Sequence, residues 1–197
     1  NVCLILADGC TLTVGGIQVS GEGGANSLQI FAQSDGDAMG RLVSTAAGDA
    51  AGIGGGAGET NGSITIFGGN VEAAGGARGA GIGGGKDAAG QNITIHGGRV
   101  TAKAYTAVFD GTAEDARGGG AGIGGGQGGD GRHILITGGT VHAEGTLILT
   151  FDANGQPTTS SGGGAGIGGG SGSGGTAIAI RGGTVTAVGS EAGAGIG

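Results

Sequence analysis

The chain has 197 residues, of which 58 are glycine and one is proline, with a net charge of −7 and a pI near 4.7. Collagen is excluded, because no strict Gly-X-Y period exists and proline is nearly absent. A membrane-spanning helix is excluded too, since no window approaches the roughly 18 apolar residues it needs, and the acidic balance argues against nucleic acid or an anionic membrane as partner.

Residues 1–50 read as an N-terminal cap plus a degenerate first coil. Val2–Leu6 and Cys10–Val14 alternate as strands do, and Ser27–Phe31 and Arg41–Ser44 follow. Terminal units of a solenoid are atypical because one side lacks a neighbour. Cys3 and Cys10 flank a predicted turn at Ala7-Asp8-Gly9. Two readings stand for them: a short-loop disulfide in an oxidising compartment, or two buried thiols. Asn1 in place of methionine leads to the expectation of a processed product or an excised fragment.

From residue 51 the sequence repeats. Ala-Gly-Ile-Gly-Gly-Gly occurs at 51–56, 80–85, 121–126 and 165–170, and a fifth copy is cut at Gly197, so further repeats are expected. Its isoleucines Ile53, Ile82, Ile123, Ile167 and Ile196 lie 29, 41, 44 and 29 residues apart. A fixed period specifies architecture more strongly than local propensity.

Each unit has inner landmarks. Ile64, Ile93, Ile134 and Ile178 each follow the motif isoleucine by 11 residues, and Val71, Val100, Val141 and Val185 follow those by 7. All extra length falls between the valine and the next motif, which marks one solvent-facing corner. The insertions cover about 103–118 and 145–161 within a repeat region of 51–197.

Three short strands per 29-residue coil are predicted, at Ile64-Thr-Ile66, Val71-Glu-Ala73 and the Ala-Gly-Ile-Gly segment with their counterparts. Period-2 alternation points Ile64, Ile66, Val71, Ala73 and Ile82 to one side. Stacking like over like gives an all-β parallel β-solenoid, a right-handed β-helix, because parallel crossovers are almost always of that hand. Gly-Gly pairs at 68–69, 97–98, 138–139 and 182–183 are expected at a corner requiring positive φ. Helices are disfavoured by glycine in nearly every window. A bundle of polyproline-II glycine strands fits the Gly-Gly-Gly runs but not the Ile-Thr-Ile segments.

The run Asn92-Ile-Thr-Ile-His-Gly-Gly-Arg-Val-Thr-Ala102, followed by Gly-Ala-Gly-Ile-Gly-Gly-Gly, resembles repeats of large glycine-rich surface proteins of Gram-positive and gut-type bacteria. These are often labelled carbohydrate-binding-domain-containing proteins. The opening Val-Cys-Leu-Ile-Leu-Ala-Asp-Gly-Cys is similar to the segment preceding such repeats, and the likeness covers nearly the whole chain except the insertions. It implies a secreted or cell-wall location and a glycan-binding or adhesive role, and supplies no binding residues.

Motifs for other chemistry fail. Gly120-Ala-Gly-Ile-Gly-Gly125 fits a dinucleotide fingerprint, but it recurs in every unit with no helix after it. Gly85-Lys86 is followed by Asp87, not Ser or Thr as a P-loop needs. Gly125–Asp130 fits a single calcium-binding nonapeptide repeat, which needs consecutive copies, so an ordinary polar turn is preferred. His96, His133 and His142 fall in different columns, which speaks against zinc and for solvated histidines. No column pairs two carboxylates as glycoside chemistry requires, and Leu135 and Ala179 interrupt the threonines an ice-binding face would need. No cofactor and no metal is expected.

The insertions carry three of the chain's five aromatics, Tyr105, Phe109 and Phe151, with Asp110, Asp152 and Asn154 beside them. Asp110-Gly and Asn154-Gly are hairpin signals. One reading makes these six residues a sugar-binding patch. The other has two hairpins packing on each other, since a lone hairpin is marginal in water. The glycines flanking each motif isoleucine are expected to form a bare outward face, covered by a second copy, another domain or the insertions.

The sequence therefore reads as a non-catalytic, secreted or cell-surface module, an adhesin or rigid spacer with a glycan or host-surface ligand. Two alternatives stand beside it: a polysaccharide-active β-helix enzyme, and an element that self-assembles through the glycine face.

Overall fold

A computed structural model describes residues 1–21, 25–105, 107–109, 119–146, 148–151, 156–159, 163–190 and 192–197. Every regular element among them is a strand. The first sheet contains β1 (Val2–Leu6), β4 (Ser27–Ala32), β7 (Ser63–Ile66), β10 (Gly90–Ile95), β14 (Gly131–Ile136) and β19 (Gly175–Ile180). The second contains β2 (Thr11–Val14), β5 (Arg41–Thr45), β8 (Asn70–Ala74), β11 (Arg99–Lys103), β15 (Thr140–Glu144) and β20 (Thr184–Val188). The third is narrow: β3 (Ile17–Gln18), β6 (Ile53–Gly54), β9 (Ile82–Gly83), β13 (Ile123–Gly124) and β18 (Ile167–Gly168), with Ile196 bridged to Ile167. All pairings within these three sheets are parallel. The chain is a parallel β-solenoid.

Like residues lie over like. Leu28, Ile64, Ile93, Ile134 and Ile178 form one column, and Leu42, Val71, Val100, Val141 and Val185 another. The motif isoleucines form a third, with Ile53, Ile82, Ile123 and Ile167 fully buried. Each such side chain contributes about 1.5–3 kcal/mol by leaving water. Residues 1–50 supply strands of two coils in the same register: Leu28 stacks on Ile64, Leu42 on Val71 and Ile17 on Ile53. Ser44 sits in the alanine column and offsets its burial by donating to the Gly52 carbonyl at 2.7 Å.

The Gly-Gly corner forms as expected. The second glycine of each pair, Gly69, Gly98, Gly139 and Gly183, has φ of +99°, +84°, +84° and +88°.

The third edge corrects the reading of a bare outward glycine face. Gly54, Gly83, Gly124 and Gly168 take φ of +145°, +138°, +135° and +143°. The motif thus leaves the extended conformation after two residues and curls on itself, with the Ala51 amide donating to the Gly55 carbonyl at 2.9 Å. Residues 51–56 are buried throughout, and the same holds in the next three copies. A Cβ on Gly81 would lie 2.6 Å from the Gly122 carbonyl oxygen. The cover is the next coil's own backbone, so no glycine ribbon remains open to a partner.

Asn61 is another interior polar group. Its amide nitrogen donates to the Gly62 and Gln91 carbonyls, both at 2.6 Å, and its oxygen accepts from the Gln91 amide at 2.8 Å. These bonds fasten consecutive coils together.

Both insertions leave the corner after the second sheet and meet in one small sheet of β12 (Ala107–Phe109), β16 (Ile148–Phe151) and β17 (Pro157–Thr159). Strands β16 and β17 form an antiparallel hairpin, and β12 adds to it in parallel. Among the described residues the first insertion therefore contributes one strand to the second insertion's hairpin. This differs from two hairpins packed face to face. Edge pairing satisfies backbone groups that packing alone would leave open.

Candidate functional site

The six insertion residues divide between described and undescribed positions. Tyr105 stands two residues past the end of β11 and is 50% exposed. Phe109 ends β12, opposite Thr150, and Phe151 ends β16, opposite Pro157. Asp110, Asp152 and Asn154 lie outside the described residues. The backbone thus brings Phe109 and Phe151 to neighbouring strands.

Cys3 and Cys10 are both free and both exposed, so neither sequence reading of them describes this structure. Cys3 occupies an outward position in the first sheet, in register with Gln29. Cys10 stands beyond the turn, with its amide donating to the Ala7 carbonyl at 3.1 Å, and precedes the second sheet.

A different site lies on the outer face of the first sheet. Just past Ile30, Ile66, Ile95, Ile136 and Ile180 come Phe31, Phe67, His96, Thr137 and Arg181, aligned by the same register. Each amide of the last four bonds to the isoleucine carbonyl one coil before it, at 2.7–2.8 Å. The side chains form an axial row. Phe31 and Phe67 stack with centroids 4.4 Å apart and planes 7° apart. Phe67 and His96 stack at 5.0 Å and 20°. His96 Nδ1 lies 2.8 Å from Thr137 Oγ1. Phe67 remains 39% exposed, and His96, Thr137 and Arg181 are exposed as well.

A shallow trough of about 460 Å³ runs beside this row. Its floor is Thr65, Thr94, Leu135 and Ala179, stacked in one column. Its far wall is Asn92, His133 and Ala177, whose φ of +53°, +51° and +53° kink β10, β14 and β19 at the same place. None of its lining residues is Asp or Glu. The exposed His96 and His133 fall on its two sides, in separate columns, and His142 lies on the second sheet.

Six described lysines and arginines, on the two wide sheets and the turns, are paired with carboxylates. Arg41 grips Glu72 at two points, 2.8 and 2.6 Å. Arg78 meets Asp49 at 2.8 Å, Arg99 meets Asp37 at 2.7 Å and Lys103 meets Glu144 at 2.8 Å. Lys86 pairs with Asp87 and Arg132 with Asp130. Hydrogen bonding from Arg41 holds the Glu72 carboxyl below the usual glutamate range, and Lys103 does the same to Glu144. Arg132 lowers Asp130, and the Ser20 hydroxyl, with the Gly56 amide, lowers Glu59. Each of these four shifts is opposite to the one a general acid needs. The Gly125–Asp130 stretch is a turn whose carboxylate is already held. Among the described residues no group of three His, Cys, Asp or Glu side chains converges as a metal site would.

Sequence reasoning did not single out this row as a site, and Phe31 fell in the irregular opening. A signal existed, since Ile30-Phe31 repeats Ile66-Phe67.

A family model described as a β-helix repeat matches residues 64–86 and 178–197. No curated protein and no solved structure is found to match the chain. The matched segments begin on strands of the first sheet and run through the second sheet to the motif. This chain is built from β-helix repeats, stacked as three parallel sheets around one apolar interior.

Proposed function

We propose that the chain is a non-catalytic, rigid module of a secreted or cell-surface protein, an adhesin whose first sheet holds a glycan. The observation that carries this reading is the exposed stack of Phe31, Phe67 and His96 beside a trough floored by Thr65 and Thr94. The ring faces are turned toward one another along the axis, so the stack offers its ring edges as a narrow apolar strip against which the apolar face of a sugar ring can pack. Hydroxyls and the Asn92 amide both donate and accept, as sugar hydroxyls require. The likeness of the repeats to bacterial surface proteins supports the location. The cation-bound carboxylates support a binder over a polysaccharide-active enzyme.

A glycan microarray probed with the wild type, Phe67→Ala and Tyr105→Ala tests this. The reading expects binding that Phe67→Ala weakens and Tyr105→Ala leaves intact. Loss only with Tyr105→Ala would move the ligand to the insertion corner. Binding to no glycan would leave the rigid spacer alone.

A further inference from the structure

We infer that the glycan is acidic, and that it lies along the solenoid axis with a carboxylate or sulfate meeting Arg181. This rests on the glycan reading above and names its ligand class. The argument begins with charge. In a chain of net charge −7, cations are scarce. Arg41, Arg78, Lys86, Arg99, Lys103 and Arg132 all hold a carboxylate. Arg181 is the remaining described side-chain cation of the Lys and Arg type, and it makes no ion pair among the described residues. A guanidinium is always charged and presents a planar fork suited to carboxylate or sulfate oxygens.

Its position gives this meaning. Arg181 closes the row that begins with Phe31, Phe67 and His96, and it also lines the trough. Successive members of the row are separated by about 4.8 Å, the strand spacing, so Arg181 stands about 14 Å from Phe67. An extended sugar chain lying along the ring edges reaches it without bending. The trough lining holds no carboxylate, although acids outnumber bases by 15 to 8 in the whole chain. An acidic sugar therefore meets no like charge along its path. The sparseness of positive charge sets the other bound. One arginine, with His96 and His133 nearby, matches a chain bearing occasional acid groups. It does not match the dense phosphates of a nucleic acid, which the net negative charge repels.

The test is calorimetric titration with hyaluronate, gellan and chondroitin sulfate, whose acidic sugars are spaced between neutral ones, each beside its carboxyl-reduced, desulfated neutral counterpart. Wild type, Arg181→Ala, Arg181→Lys and Phe67→Ala are compared, with circular dichroism melts confirming the fold. The expected result is binding of at least one acid about fivefold or more tighter than its neutral partner. Arg181→Ala erases that preference, Arg181→Lys keeps part of it, and Phe67→Ala weakens both forms about tenfold. Equal binding of acid and neutral forms, untouched by Arg181→Ala but lost with Phe67→Ala, overturns the acidic inference and leaves the glycan reading standing. Binding to none of the three acids also overturns it. If neutral glycans on the microarray are silent as well, the glycan reading falls with it.

Discussion

Ile123 lies directly over Ile82 and under Ile167, and all three are fully buried. The column is continuous, so a cavity at its centre has dry neighbours above and below. Ile123→Ala should cost about 2–5 kcal/mol in urea unfolding. Leu135→Ala, on the half-buried trough floor, should cost under about 1 kcal/mol. Similar losses at the two sites would contradict the inward and outward assignment.

Glycines in this chain are not equivalent. At Gly83 the φ of +138° disfavours any side chain, and a Cβ would overlap the Gly124 carbonyl oxygen. Gly83→Ala should destabilise by more than about 3 kcal/mol or prevent folding. At Gly174 a Cβ meets nothing within 4 Å and φ is ordinary. Gly174→Ala should be neutral or stabilise by up to about 1 kcal/mol by restricting the unfolded chain. Thermal melts of the two variants check the contrast.

Ala177 sits at φ +53°, beside Asn92 and His133 at the same kink. Asparagine tolerates this region, whereas alanine carries a Cβ penalty. Ala177→Gly should therefore stabilise the last described coil by about 1 kcal/mol, read by hydrogen exchange of the β19 amides. No gain in protection would mean the kink is unstrained.

The Arg41–Glu72 pair predicts a pH dependence. Glu72 has a lowered folded value, caused first by its hydrogen bonds from Arg41. A depressed carboxyl adds stability above its unfolded value, about 4.3, and this is lost as pH falls through the folded value. Both side chains are over a third exposed, so the contribution is at most about 1 kcal/mol. Glu72→Gln should lower stability by up to that amount at neutral pH. The gap between variant and wild type should close as pH drops below about 4.3. A gap unchanged by pH would place the effect in packing instead.

The Ile-Thr-Ile and Val-x-Ala columns, the Gly-Gly corner and the shared exit of both insertions were all legible in the spacing. Each depends only on which residues recur. The third edge was not legible, because alternation assumes an extended strand and Gly54 leaves that conformation at φ +145°. The two coils within residues 1–50 were hidden because Ile17-Gln18 stands where later coils have Ile-Gly. The trough depended on the kink at Asn92, and the lack of an ion pair at Arg181 on where the other described lysines and arginines reach. Neither is a property of local sequence.

Amide chemical-shift mapping during titration with hyaluronate tests the functional account most directly. It predicts changes running in one axial line through Phe67, Thr94, His96, Leu135 and Arg181. Changes confined to the Tyr105 corner or to Glu72, Thr101 and His142 on the second sheet, or no changes at all, would contradict it.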